Sequence, residues 1–175
     1  TERRGISSQL GMRQLLMMES RRFKKYESDL FDSFENKTII SEQDRDEIIH
    51  PEKEQVSVIR NGVDTTFFKP MYAQKAFDLL FIGNMSYPPN IDASRFLARE
   101  IFPIVLKQRP ETKLLIAGAD PVPAVRSLKN ESIKVIGWVD DIREAYASSK
   151  IFIAPMRLGA GLQNKLLQAM AMKIP

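Results

Sequence analysis

The chain has 175 residues, a formal net charge of +4, a hydrophobic fraction of 43% and no cysteine. That length suits one domain or one and a fraction with a real apolar core, and the missing cysteines exclude a disulfide framework and thiolate metal sites. No apolar run approaches the roughly 20 residues that span a bilayer, and the positive balance favours acidic partners without choosing among nucleotides, anionic lipid and nucleic acid.

The first twenty residues mix basic and apolar side chains and lack the unbroken apolar core of a signal peptide. Residues 10–34 read as a long helix, because Met12, Leu15, Leu16, Phe23, Tyr26, Leu30 and Phe34 recur at helical spacing. Glu19 falls inside that stripe and calls for a partner among the nearby arginines. The cluster Arg21, Arg22, Lys24 and Lys25 sits on the outer face, either as a solvated surface or as an attraction for anionic lipid. Residues 37–40 make a short strand. Ser41 then has the character of an N-cap, with Asp44 three positions on giving a partial capping box for a helix over 42–49.

His50, the one histidine, lies in a charged loop before Pro51 and reads as a surface residue; without cysteine or a second histidine it offers no metal site. Residues 55–59 form another short strand that ends in the turn signal Arg60-Asn61-Gly62. Residues 65–72 are a connector closed by Pro70, and a domain boundary falls near 68–76, where the composition shifts.

From Phe77 the pattern becomes regular. Apolar strands at 78–83, 113–118, 133–137 and 151–155 alternate with helices at about 90–109, 122–129, 141–149 and 161–173. Asn90 is a plausible N-cap for the first of these helices, and Pro103 should kink or split it. Such alternation predicts an α/β fold: a doubly wound parallel sheet with right-handed crossovers, preceded by a mainly helical segment. Ligands of such sheets sit outside the carboxyl ends of the strands, at the point where strand order reverses. Three of those ends carry Gly83-Asn84, Gly118-Ala119 and Gly137 before Trp138.

The fourth end is the richest in chemistry. The apolar run 151–154 stops at Pro155, Arg157 follows, and Gly159-Ala160-Gly161 leads into a helix on which Leu162, Leu166 and Met170 share a face. A strand, a glycine-rich turn and a helix start can aim backbone N–H groups at an anion, with Arg157 and Lys165 flanking the mouth. The plainer alternative is that the glycines only permit close packing and both cations are solvated. Gly159-Ala160-Gly161-Leu162-Gln163-Asn164 departs from the dinucleotide fingerprint at its last position and follows the fourth strand, not the first, which argues against a nicotinamide cofactor. No G-x-x-x-x-G-K-[ST] stretch exists, nor a serine nucleophile elbow. Asp140-Asp141 stand just before a helix, where capping its N-terminus explains them more simply than a divalent metal. No interleaved aromatic–basic pattern points to single-stranded nucleic acid.

These stretches carry a family resemblance. VIRNGVDTTFFKP (58–70) resembles the linker of family-four, group 1 retaining glycosyltransferases of the two-Rossmann-domain type. DLLFIGNMSYPPNIDA, KVIGWVDDIREAYASSKIFIAPMRLGAG and LQNKLLQAMAMKIP continue the likeness in order, with an ending like that of exopolysaccharide sugar transferases. The resemblance implies that residues 1–70 are the tail of an acceptor-binding N-terminal domain plus linker. It implies that 71–175 are a nucleotide-sugar-binding, Rossmann-like domain cut short at its C-terminus. It also implies sugar transfer from a nucleotide-sugar to a glycan or lipid-linked acceptor, with retention, without cofactor or essential metal, at a cytoplasmic site peripheral to the inner membrane, and with no nucleic-acid partner. By position, Arg157 and Lys165 would neutralise the donor diphosphate, cradled by Gly159, Gly161 and the backbone of Leu162 and Gln163. Trp138 and Val139 would lie beside the nucleobase, Gln168 near the ribose, and Gly83 and Asn84 at the first strand end would join the site.

The sequence also departs from that pattern. Two glutamates common on this loop and helix are replaced by Ala160 and Gln168, and the Arg and Lys often found after the first strand are missing from NMSYPPN. The catalytic groups of the other domain are not identifiable here, so the expectation is weak nucleotide binding without turnover. Self-association through the open edge of the fourth strand is expected as well. A reading of a different class stays open, in which the basic N-terminal helix binds an anionic membrane or nucleic acid.

Overall fold

The computed structural model describes residues 2–158 and 163–175. The chain forms two compact units, the first reaching to Asn61 and the second spanning Gly62–Pro175.

In the first unit, helix α1 (Glu2–Phe31) starts earlier than the apolar periodicity indicates. Its stripe residues Met12, Leu15, Leu16, Phe23 and Tyr26 are exposed. Glu19 has its expected basic partner, Arg22, with Nη1 at 3.0 Å. Strand β1 (Thr38–Ile39) leads into α2 (Glu42–Asp46), and a 3₁₀ turn (Lys53–Gln55) precedes β2 (Ser57–Val58), which pairs with β1 in parallel. Ser41 does cap α2: its Oγ accepts from the Asp44 N–H at 3.1 Å and donates to Asp44 Oδ2 at 2.6 Å. His50 corrects the expectation of a surface residue. Its ring stacks on Phe31 at 3.8 Å between centroids, leaving the side chain 9% exposed. Its Nδ1 accepts from the Glu52 N–H at 3.1 Å while Nε2 faces Asp32 Oδ1 at 3.4 Å. The apolar face of the imidazole is the nearest cover for a buried phenyl ring in an otherwise charged loop.

The second unit is a parallel α/β sheet. Strands β3 (Phe77–Ile82), β4 (Leu114–Ala117), β5 (Ile133–Ile136) and β6 (Ser149–Phe152) stand in the order β5-β4-β3-β6. The chain moves outward from β3 to β4 and β5, then returns to the other side of β3 for β6. Strand order therefore reverses between β3 and β6. Register runs from Leu79↔Leu114 to Ile82↔Ala117, from Leu114↔Ile133 to Ala117↔Ile136, and through Leu79↔Ile151 and Leu80↔Phe152. The fourth strand begins two residues earlier than its apolar run, because Ser149 pairs with Phe77.

Both faces of the sheet are covered, which is why residues 79–82 of β3 are apolar without a break. Alternate side chains go to opposite layers. Leu79, Phe81, Leu114 and Ile116 pack under α3 (Pro88–Phe96), α4 (Phe102–Gln108) and α5 (Pro123–Arg126). Leu80, Ile82, Leu115 and Ala117 pack under α6 (Ile142–Ala147) and α7 (Asn164–Ala171). The helix expected to bend at Pro103 is split there: a π turn (Leu97–Ile101) separates α3 from α4, and Pro103 enters at the second position of α4, where its missing N–H costs little. Asn90 is not an N-cap. Tyr87 holds that position, Pro88 and Pro89 open the helix, and Asn90 comes third.

Two glycines let the β3 and β4 tips meet. Gly118 has φ +143°, and a side chain on it would run into the Gly83 carbonyl. Beyond that contact, the Met85 N–H donates to Ala119 O at 2.8 Å, tying the loop after β3 to the loop after β4. At the end of β6, Phe152 N donates to Pro175 O at 2.7 Å.

Candidate functional site

A cavity of about 540 Å³ opens at the carboxyl ends of the strands, where their order reverses. The ends of β3 and β4, the segment after β5 and the start of α7 contribute to it. Ile82, Gly83 and Asn84 come from the end of β3, and Gly118 and Ala119 from the end of β4. Trp138, Val139 and Asp140 come from the segment after β5, and Gln163, Asn164, Lys165 and Gln168 from the first turns of α7. Of the expected site residues, Gly83, Asn84, Trp138, Val139, Gln163, Lys165 and Gln168 are thus brought to one cavity. Gly159, Gly161 and Leu162, with Ala160, lie outside the described residues.

Arg157 is placed elsewhere. Its guanidinium grips Asp92 of α3 in a two-point pair, Nε at 3.0 Å from Oδ2 and Nη2 at 2.6 Å from Oδ1, and lies over the Phe96 ring at 4.3 Å. It does not line the cavity. The Arg157 contact holds the Asp92 carboxyl below the usual carboxylate range.

Lys165 has the opposite environment. Its half-buried ammonium donates to Asn90 Oδ1 at 2.6 Å, approaches Met156 Sδ at 3.7 Å and stands 4.8 Å from the centre of the Phe81 ring. Among the described residues it makes no ion pair. Burial pushes its pKa down to about 8, since desolvation disfavours the charged form. The N-terminal turn of α7, where helical N–H groups carry partial positive charge, reaches the same space.

The first turn of α7 is itself pinned. The Tyr146 hydroxyl from α6 lies 3.0 Å from Lys165 O and 3.1 Å from Gln168 Oε1. Burial raises the Tyr146 pKa, so the phenol stays neutral and keeps its proton to donate. Asp141, expected as a cap, is one: its carboxylate accepts from the Arg143 N–H at 2.9 Å and pairs with the Arg143 guanidinium at 2.7 Å. Arg143 also donates to Phe67 O at 3.1 Å and lies 3.9 Å over its ring, which positions Phe67 at the cavity wall.

Phe67, Tyr87, Asn90, Asp140 and Asn164 line the cavity as well, and the sequence marks none of them for this site. For Tyr87 the nearest signal is its place in the loop after the first strand. Asn90 reads from sequence as a cap, and Phe67 comes from the connector. Among the described residues, Asp32, His50 and Glu52 are the group whose ligand atoms lie close enough for a metal ion, all within 4.8 Å. His50 Nδ1 is already engaged there by the Glu52 N–H, which leaves Nε2 as its free ligand atom. No helix of the described residues is long and apolar enough to cross a membrane.

Residues 76–175 match the family described as Glycosyl transferases group 1. The chain belongs to that family. A curated relative, described as an uncharacterized 44.6 kDa protein in the cps region of Klebsiella pneumoniae, is 31% identical over 53% of this chain and 26% of its own length. Among solved structures, TarM superposes with a TM-score of 0.69 at 19% identity, over 87% of this chain and 31% of its own. A TarM variant from S. aureus, solved in complex with Fondaparinux, alpha-GlcNAc-glycerol and UDP, gives 0.67 at 19% identity over the same shares. A glycosyltransferase from Rickettsia africae ESF-5 gives 0.63 at 18% identity, over 87% of this chain and 46% of its own. This group 1 glycosyl transferase chain thus spans about a quarter to a half of the lengths of these relatives. At such identities the structural likeness establishes the α/β fold.

Proposed function

We propose that the chain supplies the nucleotide-sugar-binding part of a retaining glycosyltransferase, which moves a sugar to a glycan or lipid-linked acceptor. One observation carries the reading: the Lys165 ammonium, free of any carboxylate partner among the described residues, is held in a cavity at the strand-order reversal. A nucleoside diphosphate leaving a sugar develops negative charge. A fixed cation and helix N–H groups that need no reorganisation stabilise that charge, and losing one such donor typically costs about 3 kcal/mol of barrier. The UDP bound by the TarM variant supports the same class of ligand here.

Within this reading Trp138 offers an exposed indole for the base, and Gln168, oriented by Tyr146, offers an amide to the ribose. Gly83 and Asn84 border the phosphates. Arg157 joins the diphosphate only by exchanging Asp92 for a phosphate oxygen. Retention, independence from an essential metal and a role in polysaccharide assembly belong to the proposal, the last supported by the relative in a cps region. So does a cytoplasmic location at the inner membrane face, consistent with the basic cluster Arg21, Arg22, Lys24 and Lys25 on α1.

Isothermal titration with a panel of nucleoside diphosphates tests the reading. Binding that is lost in Lys165→Ala is the expected result. Absence of binding to every nucleoside diphosphate would refute it.

A further inference from the structure

We infer that Asn90 is the positioning residue of the anion site: it aims the Lys165 ammonium into the cavity through a neutral acceptor, so that the charge is oriented without being cancelled. The inference rests on the nucleotide-sugar reading of the cavity and names the residue that makes its cation available.

Asn90 is 7% exposed, and both ends of its amide are used. Nδ2 donates to Asn84 O at 2.9 Å, and Oδ1 accepts from Lys165 Nζ at 2.6 Å. The amide can be assigned only one way round. Flipped, it would set NH₂ against an ammonium and a carbonyl against a carbonyl. The backbone holds it too, since Asn90 N donates to Tyr87 O at 2.9 Å and Asn90 O accepts from Ser94 Oγ at 2.7 Å. Gly83 leaves the space it occupies, because a Cβ at that position would come within 2.6 Å of Asn90 Nδ2. The end of β3, the start of α3 and the start of α7 therefore meet at one carboxamide.

The contrast with Asp92 explains why neutrality matters. Asp92 lies two residues further along α3 and holds the other cation, Arg157, with a carboxylate. The first turns of α3 thus present two acceptors to two cations that follow β6. The charged one consumes its cation, and the neutral one leaves its cation free to meet an anion. The remaining contacts of Lys165, a thioether and a phenyl ring, are also uncharged. Asp140 and Tyr87 are the other titratable groups of the described cavity wall; Asp92 on α3 is paired to Arg157, Asp141 to Arg143, and the Tyr146 phenol on α6 is neutral.

The test uses Asn90→Asp, which keeps the shape and adds a charge, with UDP and inorganic pyrophosphate as probes. Calorimetry is run beside an NMR titration of the Lys165 ε-methylene and a melting curve. The expected result is about a tenfold or greater loss of UDP and pyrophosphate affinity in a variant that the melting curve shows to be folded, and a Lys165 midpoint moved up from about 8. A second variant, Asn90→Ser, removes the acceptor without adding charge. It should weaken both probes while leaving the midpoint no higher than in the wild type. Wild-type affinity in Asn90→Asp or Asn90→Ser, with binding lost in Lys165→Ala, would overturn the role of Asn90 and leave the donor reading standing. If the wild-type chain binds neither probe, the donor reading fails and the role of Asn90 at an anion site falls with it.

Discussion

Arg157 and Asp92 meet in a two-point pair, 2.6 Å and 3.0 Å long, between residues 65 positions apart. The guanidinium is spoken for before any ligand arrives. Releasing it should therefore help an anion rather than harm the fold, since Arg157 is largely exposed and exposed ion pairs contribute little to stability. Asp92→Asn is expected to tighten UDP binding several-fold at low salt, with melting temperature nearly unchanged. The gain should vanish in Asp92→Asn/Arg157→Ala. Titration calorimetry on the two variants checks this, and equal affinities for Asp92→Asn and the wild type would show that Arg157 never reaches the phosphates.

Lys165 predicts opposite pH trends for stability and for binding. In the unfolded chain its ammonium keeps the proton to about 10.5, and in the folded chain only to about 8. Between those values the unfolded chain binds the extra proton, so this group makes stability rise with pH across that window. Below about 8 both states are protonated, and the burial penalty is present in full. Nucleotide binding needs the charged form, so affinity should fall as pH climbs through about 8. Asp140 lies in the same cavity wall and makes no ion pair among the described residues. Lys165→Met should accordingly lose UDP binding and lose this group's rise of stability with pH between about 8 and 10.5. Thermal melts and calorimetry over pH 6.5–10 read both trends, and a pH dependence of melting in Lys165→Met identical to that of the wild type would contradict them.

The layout of the second unit was legible because it depends on local signals. Apolar runs bounded by Gly and Pro located all four strands, and the alternation with helices fixed the parallel sheet. Boundaries were harder where a partner sets them: β6 starts at Ser149 because Phe77 is opposite, which no window around Ser149 reveals. Lys165 could be singled out from its place after the glycine-rich turn. Its partner Asn90, 75 residues away, could not, since an Asn after two prolines is equally well explained as a cap. For the same reason Arg157 and Lys165 look alike in sequence. Nothing local to the turn shows that α3 offers one of them a carboxylate and the other an amide. His50 was misplaced because its cover, Phe31, belongs to another element.

Gly118 is the glycine, among the described residues of the second unit, that tolerates a side chain least. Its φ of +143° is a conformation that side chains rarely adopt, and a Cβ there collides with the Gly83 carbonyl. Gly118→Ala must break the meeting of the β3 and β4 tips or strain both. We expect a loss on the order of 3 kcal/mol, measured by urea denaturation, together with weaker UDP binding because Gly83 and Asn84 border the cavity. Wild-type stability in this variant would mean that the two strand ends are further apart than described.

Lys173 offers a gain instead. Helix α7 closes with the Ile174 N–H on Ala169 O at 2.9 Å and the Lys173 N–H on Met170 O at 3.0 Å, the two bonds of a Schellman ending. That ending needs a left-handed residue, and Lys173 takes the place at φ +55° where glycine is the usual occupant. A side chain in that conformation costs roughly 1–2 kcal/mol. Part of the relief is offset, because glycine also loosens the unfolded chain. Lys173→Gly is therefore expected to stabilise the protein by about 1 kcal/mol. Met172 and Ile174 are both buried on the α7 side of the sheet, so the change acts on the helix end without opening the core. Lys173 does not line the cavity, and UDP affinity should stay as it was. Chemical denaturation of Lys173→Gly beside Lys173→Ala separates the backbone effect from the loss of the charge. Equal stability of the two variants would show that φ at this position carries no strain.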